Sequence, residues 1–155
     1  MGTETRKVVL DGLPGSRVIG CDIEPRFIDA GYKLYDDRAT TGISFFVDDI
    51  FKLDPIAARG EMPAQVALHE VKSLNELKGR MTYIYAGALF HLFDEKSQQA
   101  IAERLATLMK VPSGGSIGDA PVAGCIIFGK QQALESHGVI DKVLGRSVSF
   151  LLSMN

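Results

Sequence analysis

A chain of 155 residues, 46% of them apolar, is long enough for one substantial core and too short for two. A formal net charge of −2, with no block of lysine or arginine, argues against a surface built for nucleic acid. Two isolated cysteines, Cys21 and Cys125, sit in apolar runs with no CxxC or HxxxH spacing nearby, which argues against a disulfide framework or a metal site. No apolar stretch reads as a signal peptide or a membrane span, so the expectation is a cytoplasmic protein with no membrane partner.

Residues 3–12 read as a short helix that Thr3 or Thr5 can cap and Gly12 ends. A turn through Gly12, Leu13, Pro14 and Gly15 follows. Val18, Ile19, Cys21 and Ile23 then make a short run of the kind a parallel sheet buries on both faces, with Asp22 at its carboxyl end. Pro25 suits the first turn of a helix, and Phe27, Ile28, Gly31, Leu34 and Tyr35 recur at helical spacing until the pattern fades near Asp36, Asp37 and Arg38. Residues 43–50 read as a second strand, apolar at Phe45, Phe46 and Val47 and ending in Asp48 and Asp49. Residues 54–60 suggest a loop or a single helical turn, and residues 66–77 one short helix. Residues 81–90 are the third strand, closing on Phe90, His91, Leu92 and Phe93. Asp94 caps the clearest helix in the chain, whose stripe of Ile101, Ala102, Leu105, Ala106 and Leu108 must stop before Pro112. Beyond a Gly- and Ser-rich segment, Cys125, Ile126, Ile127 and Phe128 form a fourth strand, followed by a short helix and the apolar run 148–152.

Strands alternating with helices argue for an α/β fold with a parallel sheet and helices on both faces, and such sheets bind ligands at the carboxyl ends of their strands. Asp22, Asp48, Asp49 and His91 all fall at those ends. A carboxylate there can accept two hydrogen bonds from a ribose diol; the plainer alternatives are that Asp22 caps the helix behind it and that Asp48 is a solvated strand end. His91, beside Phe90 and Phe93, can take a proton from a substrate hydroxyl, and is the candidate catalytic residue, or it is a hydrogen-bonded wall of the pocket. Tyr83 and Tyr85 read as core. Gly114, Ser116 and Gly118 match the GxSxG nucleophile pattern with Asp119 and His137 following, but a helix and Pro112 precede the serine where a strand is required, so a loop is the better reading.

Residues 18–32, 46–50 and 77–93 resemble the class I S-adenosylmethionine-dependent methyltransferases, and more closely the small fungal methyltransferases of meroterpenoid and related secondary-metabolite pathways. The stretch from Leu77 to Leu108 carries the most specific part, and the resemblance covers roughly residues 2–130. It implies a Rossmann-like sheet, S-adenosylmethionine as cofactor, and methyl transfer to an oxygen of a small-molecule polyketide or terpenoid substrate. By the family pattern Asp22 holds the ribose hydroxyls, Asp49 with Ile50 meets the adenine, and the strand from Ala86 to His91 lies next to the sulfonium and substrate. Ile23 and Asp48 are counted with these as cofactor-binding candidates. Gly2 corresponds to the last glycine of the family's glycine-rich loop, a place where backbone passes close to the cofactor.

Against that pattern, the first, central strand and nearly all of the glycine loop are missing before Gly2. The closing antiparallel strands are not recognisable after Gly129, and residues 116–124 look inserted. A central strand burying about five apolar side chains at roughly 1.5–3 kcal/mol each is comparable to the whole 5–15 kcal/mol, in round terms, that holds a domain together. A homodimer, a rearranged sheet or a loosely packed domain is the expected consequence. A second reading follows: an inactive methyltransferase remnant serving as an interaction module, or without function.

Overall fold

The computed structural model describes residues 2–55, 66–110 and 124–132. The chain divides into two units, Met1–Asp54 with Ala58–Leu77 and Pro55–Ala57 with Lys78–Asn155.

In the first unit, helix α1 (Thr3–Leu10) starts after Gly2, whose backbone is left-handed at φ 89°, and no side chain caps it. The expected threonine cap is therefore absent, and the first helical bond runs from the Arg6 amide to the Gly2 carbonyl at 3.0 Å. Gly12, at φ 108°, ends the helix in the conformation that favours glycine. Strand β1 (Ile19–Asp22) leads into helix α2 (Pro25–Tyr35), where Pro25 fills the first turn and Glu24, not Asp22, is the N-cap. Strand β2 (Ser44–Val47) returns parallel to β1, with Ile19 opposite Ser44 and Asp22 opposite Val47. This is a strand–helix–strand crossover. A β-carbon on Gly15 would stand 2.4 Å from the Thr41 carbonyl oxygen, so only glycine lets the segments leading into the two strands pass so closely. Single 3-10 turns occupy Gly15–Arg17, Ile50–Lys52, Leu68–Glu70 and Leu74–Leu77. Residues 66–77 thus hold two short turns where one helix is expected. Val18, Ile28, Ile43, Phe46, Leu53, Val71, Leu74 and Leu77 are buried.

Arg6 is buried as well, and it ties the unit's helices to its sheet. Its Nε and Nη2 donate to the two carboxylate oxygens of Asp37 at 2.6 and 2.8 Å. Its guanidinium carbon lies 4.5 Å from the ring centre of Tyr35, 5.1 Å from that of Phe45 and 5.6 Å from that of Tyr32. A planar cation suits this place because it can fork a carboxylate and lie over aromatic faces at once.

In the second unit, strand β3 (Tyr83–Tyr85) pairs parallel with β4 (Ile126–Phe128), Tyr83 opposite Ile126 and Tyr85 opposite Phe128. Helix α3 (Glu95–Leu108) has Asp94 as its cap, accepting from the Ser97 amide at 2.8 Å, and buries Gln98, Ile101, Leu105 and Leu108. The third strand is far shorter than its apolar run suggests. Ala88 takes a left-handed φ of 54°, and Phe90–Leu92 is a 3-10 turn.

The parallel pairing and the strand–helix order are as expected, but the single sheet is not observed. Among the described residues the four strands form two two-stranded sheets. With one partner each, the strands are not covered as the sequence suggests: β1 is half-exposed throughout, and Tyr83, Tyr85, Ile126, Ile127 and Phe128 are exposed. Among the described residues no helix is long and apolar enough to cross a membrane. The GxSxG segment, Asp119, His137 and the run 148–152 lie outside the described residues, as does most of the loop 54–60.

The bidentate bond from Arg6 holds the Asp37 carboxyl below the usual carboxylate range, with the Arg6 charge acting in the same direction. A depressed pKa stabilises the fold at neutral pH, and that contribution is lost as pH falls through the lowered value. Asp37→Asn should therefore lower stability in urea unfolding by about 1–3 kcal/mol at pH 7, and the gap to the parent should close as the pH drops below the ordinary carboxylate range.

Candidate functional site

The carboxyl ends of β1 and β2 stand side by side. The ladder runs one step past the strands, the Asp48 amide donating to the Asp22 carbonyl at 3.3 Å, so Asp22 and the pair Asp48–Asp49 occupy adjacent strand tips. Their carboxylates do different work. Asp22 Oδ1 accepts the Glu24 amide at 2.9 Å, which shapes the turn into α2. The capping itself falls to Glu24, whose carboxylate is forked by Arg26 at 2.9 and 2.7 Å and held down to about 2 by that bond. Asp48 bonds backbone amides through both oxygens. Its Oδ1 takes the Asp49 amide and its Oδ2 the Leu74 amide, both at 2.8 Å, bracing the end of β2 against the turn Leu74–Leu77. Asp49 Oδ1 accepts the Phe51 amide at 2.9 Å and starts the turn Ile50–Lys52. Asp22 and Asp49 thus each keep one carboxylate oxygen without a hydrogen bond among the described residues.

Exposed apolar residues lie near these acids in the sequence. Ile23 is 65% exposed, Phe27 51%, Val47 47% and Phe51 38%, and each lies within five residues of an acid in sequence. Ile50 is half-buried. Beneath the tips, the Cys21 thiol donates to the Asp48 carbonyl at 3.6 Å. Burial pushes that thiol up to about 12, and the charges of Asp48, Asp22 and Asp49 add to the shift. A weak acid that feels three carboxylates at once marks this end of the sheet as a concentrated negative patch.

Gly2 belongs to the same unit. A β-carbon there would meet Arg6 Nη1 at 2.6 Å and the Phe45 ring at 3.0 Å, so a larger residue would displace the buried guanidinium.

In the second unit, Ala86 is buried and both of its backbone groups are engaged. Its amide donates to the Phe128 carbonyl at 2.8 Å, and its carbonyl accepts from Gln131 Nε2 at 2.6 Å. His91 is 6% exposed, with Nδ1 3.0 Å from Gln131 Oε1. The sequence singles out Ala86 and His91 but not Gln131, nor the ion pair of Arg6 with Asp37.

Three comparisons bear on what this arrangement is. O-methyltransferase phiE from a fungal species is 28% identical over 131 residues, 84% of this chain and 35% of that protein. O-methyltransferase atr3 of Stereocaulon alpinum is 26% identical over 137 residues, 88% of this chain and 35% of that protein. Methyltransferase ausD of Penicillium brasilianum is 29% identical over 116 residues, 75% of this chain and 36% of that protein. The chain is homologous to fungal methyltransferases. It spans about a third of the length of these curated methyltransferases. No family model and no solved structure matches it. Such relatives, as methyltransferases, require a methyl donor.

The raised thiol predicts a simple chemical outcome. Because the thiolate is the reactive form, Cys21 in the folded chain should resist iodoacetamide at pH 8 and become alkylated only after unfolding in guanidinium, as read by peptide mass mapping. Alkylation of native Cys21 at the rate of a free thiol would contradict the upward shift of its thiol.

Proposed function

We propose that the tips of β1 and β2 hold the adenosine of S-adenosylmethionine, and that the whole protein methylates an oxygen of a small polyketide- or terpenoid-type metabolite. The observation that carries this reading is the pairing of two acids, Asp22 and Asp49, on neighbouring parallel strands, each with a carboxylate oxygen to spare. The chemistry of the donor set fits. Asp22 can accept from the ribose hydroxyls as a charge-assisted acceptor. Asp49 can accept from the exocyclic amine of adenine, while Ile23, Phe27 and Ile50 offer apolar surface to the base. Asp48, with both oxygens committed to backbone amides, serves this site by fixing where Asp49 stands. Gly2 is the candidate for close backbone approach at the methionine end.

When bound, S-adenosylmethionine supplies an activated methyl group on a sulfonium, and the protein's part is position and electrostatics. The carboxylates at the strand tips also suit a cationic donor over its neutral demethylated product. In the second unit, His91 is the candidate base for the acceptor's proton. A second reading, an interaction module that pairs with another copy, draws on one observation: Tyr83, Tyr85, Ile126, Ile127 and Phe128 leave the β3–β4 pair largely apolar and exposed.

Calorimetric titration separates the two. Saturable binding of S-adenosylmethionine is expected, and Asp22→Ala should weaken it about tenfold to a hundredfold, the effect of losing roughly 1.5–3 kcal/mol of hydrogen bonding to a charged group. A natively folded chain that takes up neither the donor nor its demethylated product, and that sediments as a dimer, would favour the interaction module.

A further inference from the structure

We propose that Gln131 is a positioning residue that sets the tautomer of His91, leaving the lone pair on Nε2. The inference rests on the methyltransferase reading for what His91 does, but the tautomer follows from the hydrogen bonds alone. The Ala86 carbonyl can only accept, so the group that Gln131 presents to it at 2.6 Å must be the amide nitrogen. The amide oxygen is then the atom 3.0 Å from His91 Nδ1, and it too can only accept. Nδ1 must therefore carry the hydrogen. In the neutral ring that leaves Nε2, at the opposite edge, as the basic nitrogen, and no hydrogen bond to it is found among the described residues.

The backbone is built to hold this relay. Past their strands, the Ala88 amide donates to the Lys130 carbonyl at 2.7 Å, which continues the β3–β4 ladder as far as the residue before Gln131. A β-carbon at Gly129 would stand 2.2 Å from the Ala86 oxygen, so only glycine lets the chain pass close enough for Gln131 to reach that same oxygen. Ala88 adopts its left-handed φ of 54° just before the turn Phe90–Leu92 that carries His91. A non-glycine residue held in that region is strained, and such strain persists only where the surroundings over-determine it. His91 itself is 6% exposed, so its ring orientation is set by these bonds and by packing.

The arrangement is what a general base requires: one nitrogen bonded to an orienting group, the other free to receive a proton. Were an acceptor hydroxyl to reach Nε2, the ring could take its proton there, with Nδ1–H still bonded to the Gln131 oxygen.

The test is the imidazole spectrum of the uniformly 15N-labelled chain, recorded by long-range proton–nitrogen correlation where the ring is neutral, with His91 assigned by the loss of its signals in His91→Gln. The expected result is a pyrrole-like Nδ1 and a pyridine-like Nε2, the reverse of the tautomer that free histidine favours. In Gln131→Leu the two should exchange character. A parent chain with its proton on Nε2 overturns the proposal without recourse to any variant, and an unchanged Nδ1–H tautomer in a folded Gln131→Leu overturns the role of Gln131. If the Nδ1–H tautomer is present but S-adenosylmethionine does not bind, the methyl-transfer reading fails, and the base role with it, while the histidine–glutamine pair stands.

Discussion

The ladder between Ile19–Asp22 and Ser44–Val47 is the constraint on which the candidate donor site depends. Parallel pairing puts both carboxyl ends at the same edge, and the bond from the Asp48 amide to the Asp22 carbonyl continues it into the residues that follow. A register shift of one residue would turn every side chain of β2 to the opposite face and move Asp49 away from Asp22. The register is held from both sides. At the entry, Gly15 lies against the Thr41 carbonyl; at the exit, Asp48 is pinned between its neighbour's amide and that of Leu74.

Arg6 plays the corresponding part for the helices. It sits on α1, pairs with Asp37 just beyond α2, and lies over rings contributed by α2 and β2. Its removal would leave a carboxylate only 16% exposed without its partner, a larger cost than the pair's own net contribution. The guanidinium also fills the space a side chain on Gly2 would need.

Much of the local structure was legible in the sequence because it is written in short-range terms. Pro25 marks the start of α2, Asp94 caps α3 as its type suggests, and the stripe of Ile101, Leu105 and Leu108 is buried. The acids at the strand tips were legible too, since a strand read from its apolar run has an end. What could not be read depends on partners distant in the chain. Arg6 looks like a solvated helix residue until Asp37 is seen 31 residues away, and Asp48 looks like a solvated strand end until the Leu74 amide arrives 26 residues on. Gln131 lies 40 residues from His91 in a stretch without periodicity. The third strand was overestimated for a related reason. Apolar composition continues through residues 81–90, but Gly87 and the left-handed Ala88 break the extended backbone, and composition alone carries no sign of φ. The expectation that the strands are covered on both faces assumed neighbours that the described residues do not supply.

The functional reading thus rests on a division of labour among similar groups. Of three aspartates at one edge, Asp48 bonds a backbone amide through each oxygen, whereas Asp22 and Asp49 each keep one oxygen without a hydrogen bond among the described residues. The most direct measurement is a titration of S-adenosylhomocysteine into the 15N-labelled chain, followed by backbone amide shifts. The account predicts saturable movement concentrated at Asp22, Ile23, Asp49, Ile50 and Phe51. Saturable shifts that leave these amides unmoved, or no shifts at all from a folded chain, would contradict it.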